Sequence, residues 1–119
     1  MNCHTAVIHI DYSRNMDEFE TISALRALGE QTRWKVMRLL VSKRHGMAAG
    51  DIAEALQVRQ NTLSSHIAAL TRCGLVDGYR QGRQIVYSAD SRNARRLAAH
   101  VLVSLGDVSE SAASKLLKK

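Results

Sequence analysis

The chain has 119 residues, a formal net charge of +6 and an apolar fraction of 45%. This length fits one globular domain, and a domain of this size gains buried surface when it dimerises. No apolar run reaches the roughly 18 residues that span a bilayer, and no signal-peptide pattern is present, so we expect a cytoplasmic protein with no membrane partner. Its two cysteines, Cys3 and Cys73, do not make the framework of a disulfide-rich secreted domain.

Residues 1–15 precede the first segment with helical periodicity. Apolar and polar side chains alternate weakly there, and we expect a flexible N-terminal extension. Met16 opens the segment that follows. One hypothesis is that Met16 is the natural initiator. The intact mass of the natively expressed protein tests it, because a mass that includes Cys3 contradicts the hypothesis.

Two amphipathic helices are predicted next, over residues 16–29 and 31–42. The first has acidic residues in its first turn, which suits the positive end of the helix dipole. The second is expected to end at Ser42 and to supply a set of core side chains, namely Trp34, Val36, Met37, Leu39, Leu40 and Val41. In the loop that follows, Ala48 offers no side-chain cap to the next helix, so a weak helix start is expected there.

The middle of the chain has the pattern of a helix-turn-helix. A helix over residues 51–56 is followed by a turn at residues 57–58 and by a second helix over residues 60–72, which Gly74 terminates. The apolar side chains of the second helix share one face, which we expect to be buried: Leu63, Ile67 and Leu70. Taken alone, this pattern is almost equally consistent with two ordinary packed helices and a solvated face.

The opposite face of the second helix suits entry into a DNA major groove. Bulky side chains would keep a helix out of the groove, whereas Gln and Asn pair with adenine and Ser hydrogen-bonds to several base edges. We therefore predict base contacts from four residues: Gln60, Asn61, Ser64 and Ser65.

A β-hairpin is predicted directly after this helix. Apolar runs at residues 75–76 and 85–87 flank a polar tip that contains Gly82. A basic hairpin behind a reading helix is typical of a wing that reaches phosphates or the minor groove. The predicted contacts to the DNA backbone or minor groove are Thr62, His66, Arg72, Arg80, Gln81 and Arg83. The alternative, a surface hairpin with incidental charge, explains the order of the elements less well.

Positive charge is concentrated in the same part of the chain. Residues 41–100 hold nine basic and four acidic side chains, a balance of +5 out of the total of +6. An excess that coincides with the predicted reading helix and wing indicates a polyanionic partner.

The last long helix is predicted over residues 91–105. Its apolar stripe exceeds what a small winged domain can cover, so we predict that it forms a dimer interface with the helix at residues 16–29. The predicted interface residues are Phe19, Ile22, Leu97, Val101 and Leu105. The alternative is that the stripe belongs to the intramolecular core. Residues 107–119 are expected to form a C-terminal tail, with at most a short frayed helix.

Five segments, taken in order along the chain, resemble the ArsR/SmtB family of bacterial winged-helix repressors. They are residues 28–40, 51–56, 60–67, 74–76 and 82–87. The resemblance covers about residues 16–105, and the succession of motifs is specific. It implies a mainly α fold with a small β-hairpin, namely a homodimeric winged helix-turn-helix, with the DNA-binding and dimerisation domain at residues 16–106. It also implies repression from palindromic, double-stranded operator DNA and release by an effector.

The metal-ligand positions of the family are not filled in this chain. Metalloid-sensing members have a Cys-x-Cys pair where this chain has Ala48 and Gly50. Zinc-sensing members have their ligands where this chain has Ser91, Asn93, Ser104 and Asp107. Such residues do not make a soft-metal or zinc site. We predict no metal site and no cofactor, and an effector that is a small molecule, a redox signal or unknown.

The remaining sensor candidates are weak. Cys3, His4 and His9 could bind a metal but lack a preset geometry. Cys73 stands where the family commonly has a small residue, which favours a buried small hydrophobe over a reactive thiol. A redox pair of Cys3 with Cys73 stays open.

Two other classes of function also stay open. A nucleoid-type architectural protein would bind DNA with a low specificity ratio. A protein-interaction module would use the same helices against a protein partner. An enzyme is not predicted, because no nucleophile, paired carboxylates or phosphate-binding loop is spaced for chemistry.

Overall fold

The computed structural model describes residues 16–117, which form helices around a small antiparallel sheet. In chain order the elements are α1 (Glu18–Leu28), α2 (Gln31–Ser42), β1 (Met47–Ala48), α3 (Ala49–Leu56), α4 (Gln60–Arg72), β2 (Val76–Gln81), β3 (Gln84–Ala89), α5 (Ser91–Leu105) and α6 (Glu110–Leu117). The strand order is β1-β3-β2. This architecture confirms the predicted winged helix-turn-helix. Over the described range, every helix is too short or too polar to cross a membrane.

Side-chain capping fixes the start of α1 but not the start of α3. The Asp17 carboxylate accepts from the Glu20 N–H at 2.7 Å, and the Glu20 carboxylate accepts from the Asp17 N–H at 3.0 Å. This capping box starts α1 at Glu18, two residues later than predicted. Helix α3 starts two residues earlier than predicted, and its N-cap residue, Ala48, makes no side-chain hydrogen bond, as expected. Helices α2, α4 and α5 have the predicted bounds.

A third strand, which the sequence did not predict, joins the hairpin. Strand β1 pairs with β3, with Met47 opposite Tyr87 and Ala48 opposite Val86. Gly46 precedes it with a φ of +87°, and a Cβ atom there would lie 2.7 Å from the Val86 side chain and 2.9 Å from the Tyr87 carbonyl oxygen. Both the left-handed backbone and the close approach require glycine. The pairing ties the start of α3 to the base of the wing.

The wing is a tight hairpin of β2 and β3. Its register runs from Val76 opposite Ala89 to Gln81 opposite Gln84, so Gly82 and Arg83 form a two-residue loop. Gly82 has a φ of +66°, as such loops require.

The core lies between α2, α3, α4 and the base of the wing. Its largest fully buried side chains are Leu40, Ile52, Leu63, Leu70, Leu75, Val36 and Val76. Two of the core side chains predicted for α2 are wrong, because Trp34 and Val41 are each 54% exposed. At about 100° per residue, they lie on the side of α2 that faces away from Val36 and Leu40.

The C-terminal segment contains a packed helix, whereas the sequence predicted a tail with at most a short frayed helix. Helix α6 packs against α5, and its Ala113 is buried. The Ser109 hydroxyl accepts from the Ala112 N–H at 3.1 Å and supports the first turn of the helix.

Candidate nucleic-acid interface

Helix α4 presents two faces of different chemistry. Leu63, Ile67 and Leu70 are buried in the core, as predicted. Asn61, Ser65, Ala68 and Arg72 lie opposite them and are exposed. The helix is oriented by the turn after α3, where Gln57 adopts a left-handed conformation and the Val58 N–H donates to the Ala53 carbonyl at 3.0 Å. The apolar face therefore holds the helix in place while the polar face stays open to solvent.

The four predicted base-contacting side chains lie together at the N-terminal half of α4. All of them are exposed. The Ser64 hydroxyl donates to the Gln60 carbonyl at 3.0 Å, and the Ser65 hydroxyl donates to the Thr62 carbonyl at 2.9 Å. Each hydroxyl oxygen can therefore still accept a hydrogen bond from a donor group on a DNA base. The side-chain amide of Gln60 makes no hydrogen bond within residues 16–117.

The N-terminus of α4 favours an anion. Its N-cap residue, Arg59, makes no side-chain cap, and no acidic residue occupies the first turn. The Thr62 N–H donates to the Asn61 side-chain oxygen at 2.8 Å, which leaves earlier N–H groups for other partners. Unsatisfied N–H groups and the helix dipole attract phosphate, and Arg59 adds a full positive charge. Sequence reasoning missed Arg59, although a basic residue directly before the reading helix was the available signal.

The wing carries its predicted polar residues at the tip. Arg80, Gln81 and Arg83 are all exposed. The base of the hairpin is held closely, since a Cβ atom on Gly78 would lie 2.9 Å from the Tyr87 ring. The tip can therefore reach outward from a fixed base.

Two other predicted phosphate contacts are placed less favourably. Arg72 is exposed, but it lies at the opposite end of α4 from Gln60, about 18 Å along the helix axis. His66 is turned towards α2, where its Nδ1 accepts from Arg33 Nε at 3.1 Å and lies 3.7 Å from the Glu30 carboxylate. A ring that accepts through Nδ1 carries its proton on Nε2, so only that atom can donate to a phosphate.

Exposed apolar side chains lie on α1 and at the end of α5. Phe19 is 71% exposed and Leu105 is 80% exposed. The two helices are joined within the protomer by a hydrogen bond of 2.5 Å between Thr21 Oγ1 and His100 Nδ1. Leu97 differs from the other predicted interface residues, because it is only 6% exposed and belongs to the core of the protomer.

Ile22 and Val101 complete the set of predicted interface residues. Ile22 is exposed, and Val101 is half-buried and packs against the core. The accessible part of the predicted interface therefore consists of Phe19, Ile22, Leu105 and the outer side of Val101.

No metal centre is formed by the described part of the chain. Within residues 16–117, no group of three or more His, Cys, Asp or Glu side chains could hold an ion. The Cys73 thiol is half-buried and donates to the Leu70 carbonyl at 3.4 Å. The candidates Cys3, His4 and His9 lie outside the described residues.

Comparisons with known proteins add independent evidence. A family model described as a helix-turn-helix domain matches residues 28–79. The chain is 39% identical to the HTH-type transcriptional regulator CmtR of Mycobacterium tuberculosis over 82 residues, which are 67% of this chain and 67% of that protein.

Solved structures show the same fold. An ArsR-like transcriptional regulator from Rhodococcus sp. RHA1 superposes with a TM-score of 0.64 at 32% identity, covering 74% of this chain and 80% of the other. The homodimeric winged helix-turn-helix DNA-binding domain of Mb0332 from Mycobacterium bovis superposes with a TM-score of 0.59 at 27% identity, again covering 74% and 80%.

The sequence motifs, the winged fold and these relatives agree. The helix-turn-helix match spans α2, α3, α4 and the start of the wing, which are the elements that build the exposed polar face. The chain belongs to the ArsR/SmtB family of winged helix-turn-helix, DNA-binding transcriptional regulators.

Proposed function

We propose that this chain is a repressor that binds a palindromic operator as a homodimer. The observation that carries the proposal is the exposed polar surface at the N-terminal half of α4. Its opposite face is buried, so the surface has one fixed orientation. An uncapped helix N-terminus and a basic wing lie beside it in the chain. We also propose that the protein acts in the cytoplasm and by binding DNA rather than by catalysis.

Base recognition is assigned to the exposed side chains at the start of α4. The side-chain amides of Gln60 and Asn61 can each form two hydrogen bonds with the major-groove edge of an adenine. Ser64 and Ser65 lie one turn further along and can donate to or accept from several base edges. These four residues fall within two turns of helix, a length that matches a few consecutive base pairs.

Backbone and minor-groove contacts are assigned to the residues around that surface. At the start of α4, Thr62 and Arg59 are placed for the phosphates that border the major groove. At the wing tip, Arg80, Gln81 and Arg83 are placed for phosphates or a narrow minor groove. We also assign weaker roles to His66 and Arg72, the first through Nε2 and the second at the far end of the helix.

Dimerisation is assigned to the apolar surface on α1 and α5. Phe19 and Leu105 expose large apolar side chains that a second copy would remove from water. The homodimeric relative Mb0332 supports this assembly. A two-fold dimer would place its two α4 helices about 34 Å apart, one turn of the DNA duplex, and therefore on an inverted repeat.

The releasing signal is proposed to be a small molecule or a redox change. The two family positions for metalloid ligands are Ala48 and Gly50, which have no side chain that binds a metal. Operator binding would then be relieved by a change in how the two protomers present their reading helices.

Selection of bound sequences from random duplex DNA tests the proposal. The purified full chain is used at physiological salt, and we expect enrichment of an inverted repeat. Arg38→Gln is a matched control, because Arg38 is an exposed arginine on α2 outside the proposed contact set. It should enrich the same repeat.

Two outcomes would contradict the proposal. Strong, salt-sensitive binding without enrichment would identify an architectural DNA-binding protein instead. An absence of DNA binding would favour a protein-interaction module that uses the same surface.

A further inference from the structure

A cleft lies on the side of the molecule formed by the end of α2, the end of β3, the start of α5 and α6. Its volume is about 670 Å³. This volume is within the range of roughly 300–1,000 Å³ typical of small-molecule sites. Ala89 and Ser91 line it at the junction where the wing ends and α5 begins. None of the predicted DNA-contacting or dimer-interface residues lines it.

In the described part of the chain, two arginine side chains without an ion-pair partner line the cleft. Arg44 enters it from the loop after α2, and Arg95 enters it from α5. Neither guanidinium makes an ion pair or hydrogen bond within residues 16–117. Among residues 16–117, no carboxylate lines the cleft, and the neighbouring Asp90 carboxylate accepts a hydrogen bond from the Asn93 N–H at 3.0 Å at the start of α5. An anion bound in the cleft could accept charge-assisted hydrogen bonds from these guanidinium groups.

The remaining wall of the cleft is apolar. Val41 and Leu116 line it and are 54% and 68% exposed, and Leu117 lies beside them. Exposed apolar side chains of this size, grouped beside a cavity, are typical of a binding surface rather than of a solvated face. A ligand that fits both halves of the cleft has one anionic group and an apolar body.

We propose that this cleft binds a monocarboxylate with an apolar body, of the size of a medium-chain fatty acid. The carboxylate lies between Arg44 and Arg95 and accepts a hydrogen bond from the Ser91 hydroxyl, while the apolar body covers Val41 and Leu116. Because the ligand touches the junction between the wing and α5, its binding would alter how the wing is presented. That regulatory consequence rests on the proposed function, whereas the binding itself does not.

Isothermal titration of the full chain with octanoate tests the proposal without DNA. We expect saturable binding at one site per protomer, tighter than binding of the neutral octan-1-ol or the cationic octylamine. Arg44→Gln and Arg95→Gln should each weaken octanoate binding by about ten-fold or more, the loss expected for a charge-assisted hydrogen bond. Both arginines are exposed, so these variants keep the core intact. Arg38→Gln removes the same charge from α2 outside the cleft and should bind octanoate unchanged.

A second measurement locates the ligand. Octanoate should shift the backbone amide NMR signals of Ala89 and Ser91, and Leu116→Ser should weaken its binding. Equal binding of octanoate and octan-1-ol, or no effect of either arginine variant, would overturn the proposal.

A second copy of the chain is the other candidate occupant of the cleft. Dissociation of the oligomer by Leu116→Asp, with no octanoate binding to the parent chain, would show that a second copy covers the cleft and would also overturn the proposal. Because no DNA is present in these titrations, failure of operator selection and failure of ligand binding remain separate results.

Discussion

The proposed contact residues on α4 and the wing divide into base contacts and phosphate contacts. Ser64 lies among the exposed polar residues proposed to contact bases, whereas Arg83 lies in the two-residue tip of the wing. A base contact depends on the partner base, but a phosphate contact is the same at every sequence. Substitution at each of these two positions should therefore have a distinguishable effect.

Arg83→Ala is expected to weaken DNA binding by a similar factor on all sequences. Loss of one phosphate contact should also reduce the slope of log affinity against log salt by about 1. Fluorescence anisotropy over a salt series measures both quantities. Ser64→Ala is the contrasting variant and should change base preference with an unaltered salt slope. Unchanged operator affinity of Arg83→Ala at physiological salt would count against the wing assignment.

Asn93 is a structural residue on α5 that links this helix to the end of α4. It is buried, its Nδ2 donates to the Gly74 carbonyl at 2.8 Å, and its Oδ1 accepts from Arg96 at 3.0 Å. Gly74 follows the C-terminal end of α4 and has a φ of +82°. A Cβ atom on Gly74 would lie 2.9 Å from Asn93 Nδ2. Asn93 therefore fixes the end of the reading helix against α5.

Asn93→Ala is expected to lower the free energy of unfolding by about 1–3 kcal/mol, because it leaves buried polar groups without partners. Chemical denaturation of the purified chain measures this loss. Ser104→Ala, at an exposed position on the same helix, is the control and should change stability by less than about 0.5 kcal/mol. Equal stability of the two variants would show that the Asn93 hydrogen bonds contribute nothing net.

At the scale of single elements, helix starts explain where the fold is firmly or weakly held. Helix α1 begins with a reciprocal capping box, but α3 begins at Ala48 with no side-chain cap. Strand β1 compensates by pairing Ala48 with Val86 of the wing. The first helix of the helix-turn-helix is thus anchored by the sheet rather than by its own cap.

Ala48→Ser is expected to stabilise the protein by about 0.5–1 kcal/mol, because a hydroxyl at the N-cap can accept from a first-turn N–H of α3. Thermal and chemical unfolding measure the gain. Ala55→Ser is the matched control at an exposed position in the last turn of α3, where Ser is a poorer helix former and should lower stability slightly. A loss of stability in Ala48→Ser as large as in the control would refute the capping argument.

At the scale of the whole molecule, the protomer leaves several large apolar side chains exposed on α1 and at the end of α5. Phe19 and Leu105 are mostly exposed, although each would lose about 25 cal/mol of unfavourable hydration per Å² when covered. The proposed dimer would remove these side chains from water.

Leu105→Glu is expected to raise the dimer dissociation constant at least about ten-fold, because dimerisation would bury an unpaired charge. Sedimentation velocity over a concentration series measures this change, and binding to an inverted repeat should fall with it. Trp34→Glu is the control, since Trp34 is an exposed apolar residue on α2 away from that surface. Equal dimerisation of Leu105→Glu and the parent chain would exclude this interface.

The sequence by itself determined the bounds of α2, α4 and α5 and the buried face of the reading helix. These features are local, since helical periodicity and a terminal glycine are read over a few residues. The sequence also predicted the wing as a hairpin, because two short apolar runs flank a polar tip with Gly82, whereas its two-residue loop came from the register of the strands. The family resemblance rested on the same segments.

Only the tertiary structure decided what each apolar face meets. Periodicity shows which side chains share a face, but it does not show which element covers that face. Trp34 and Val41 were therefore wrongly expected in the core, and Leu97 proved to be buried within its own protomer. Three further features join residues that are far apart in the chain, so no local sequence pattern predicts them. They are the pairing of β1 with β3, the contact of Arg33 with His66, and the cleft lined by Arg44 and Arg95.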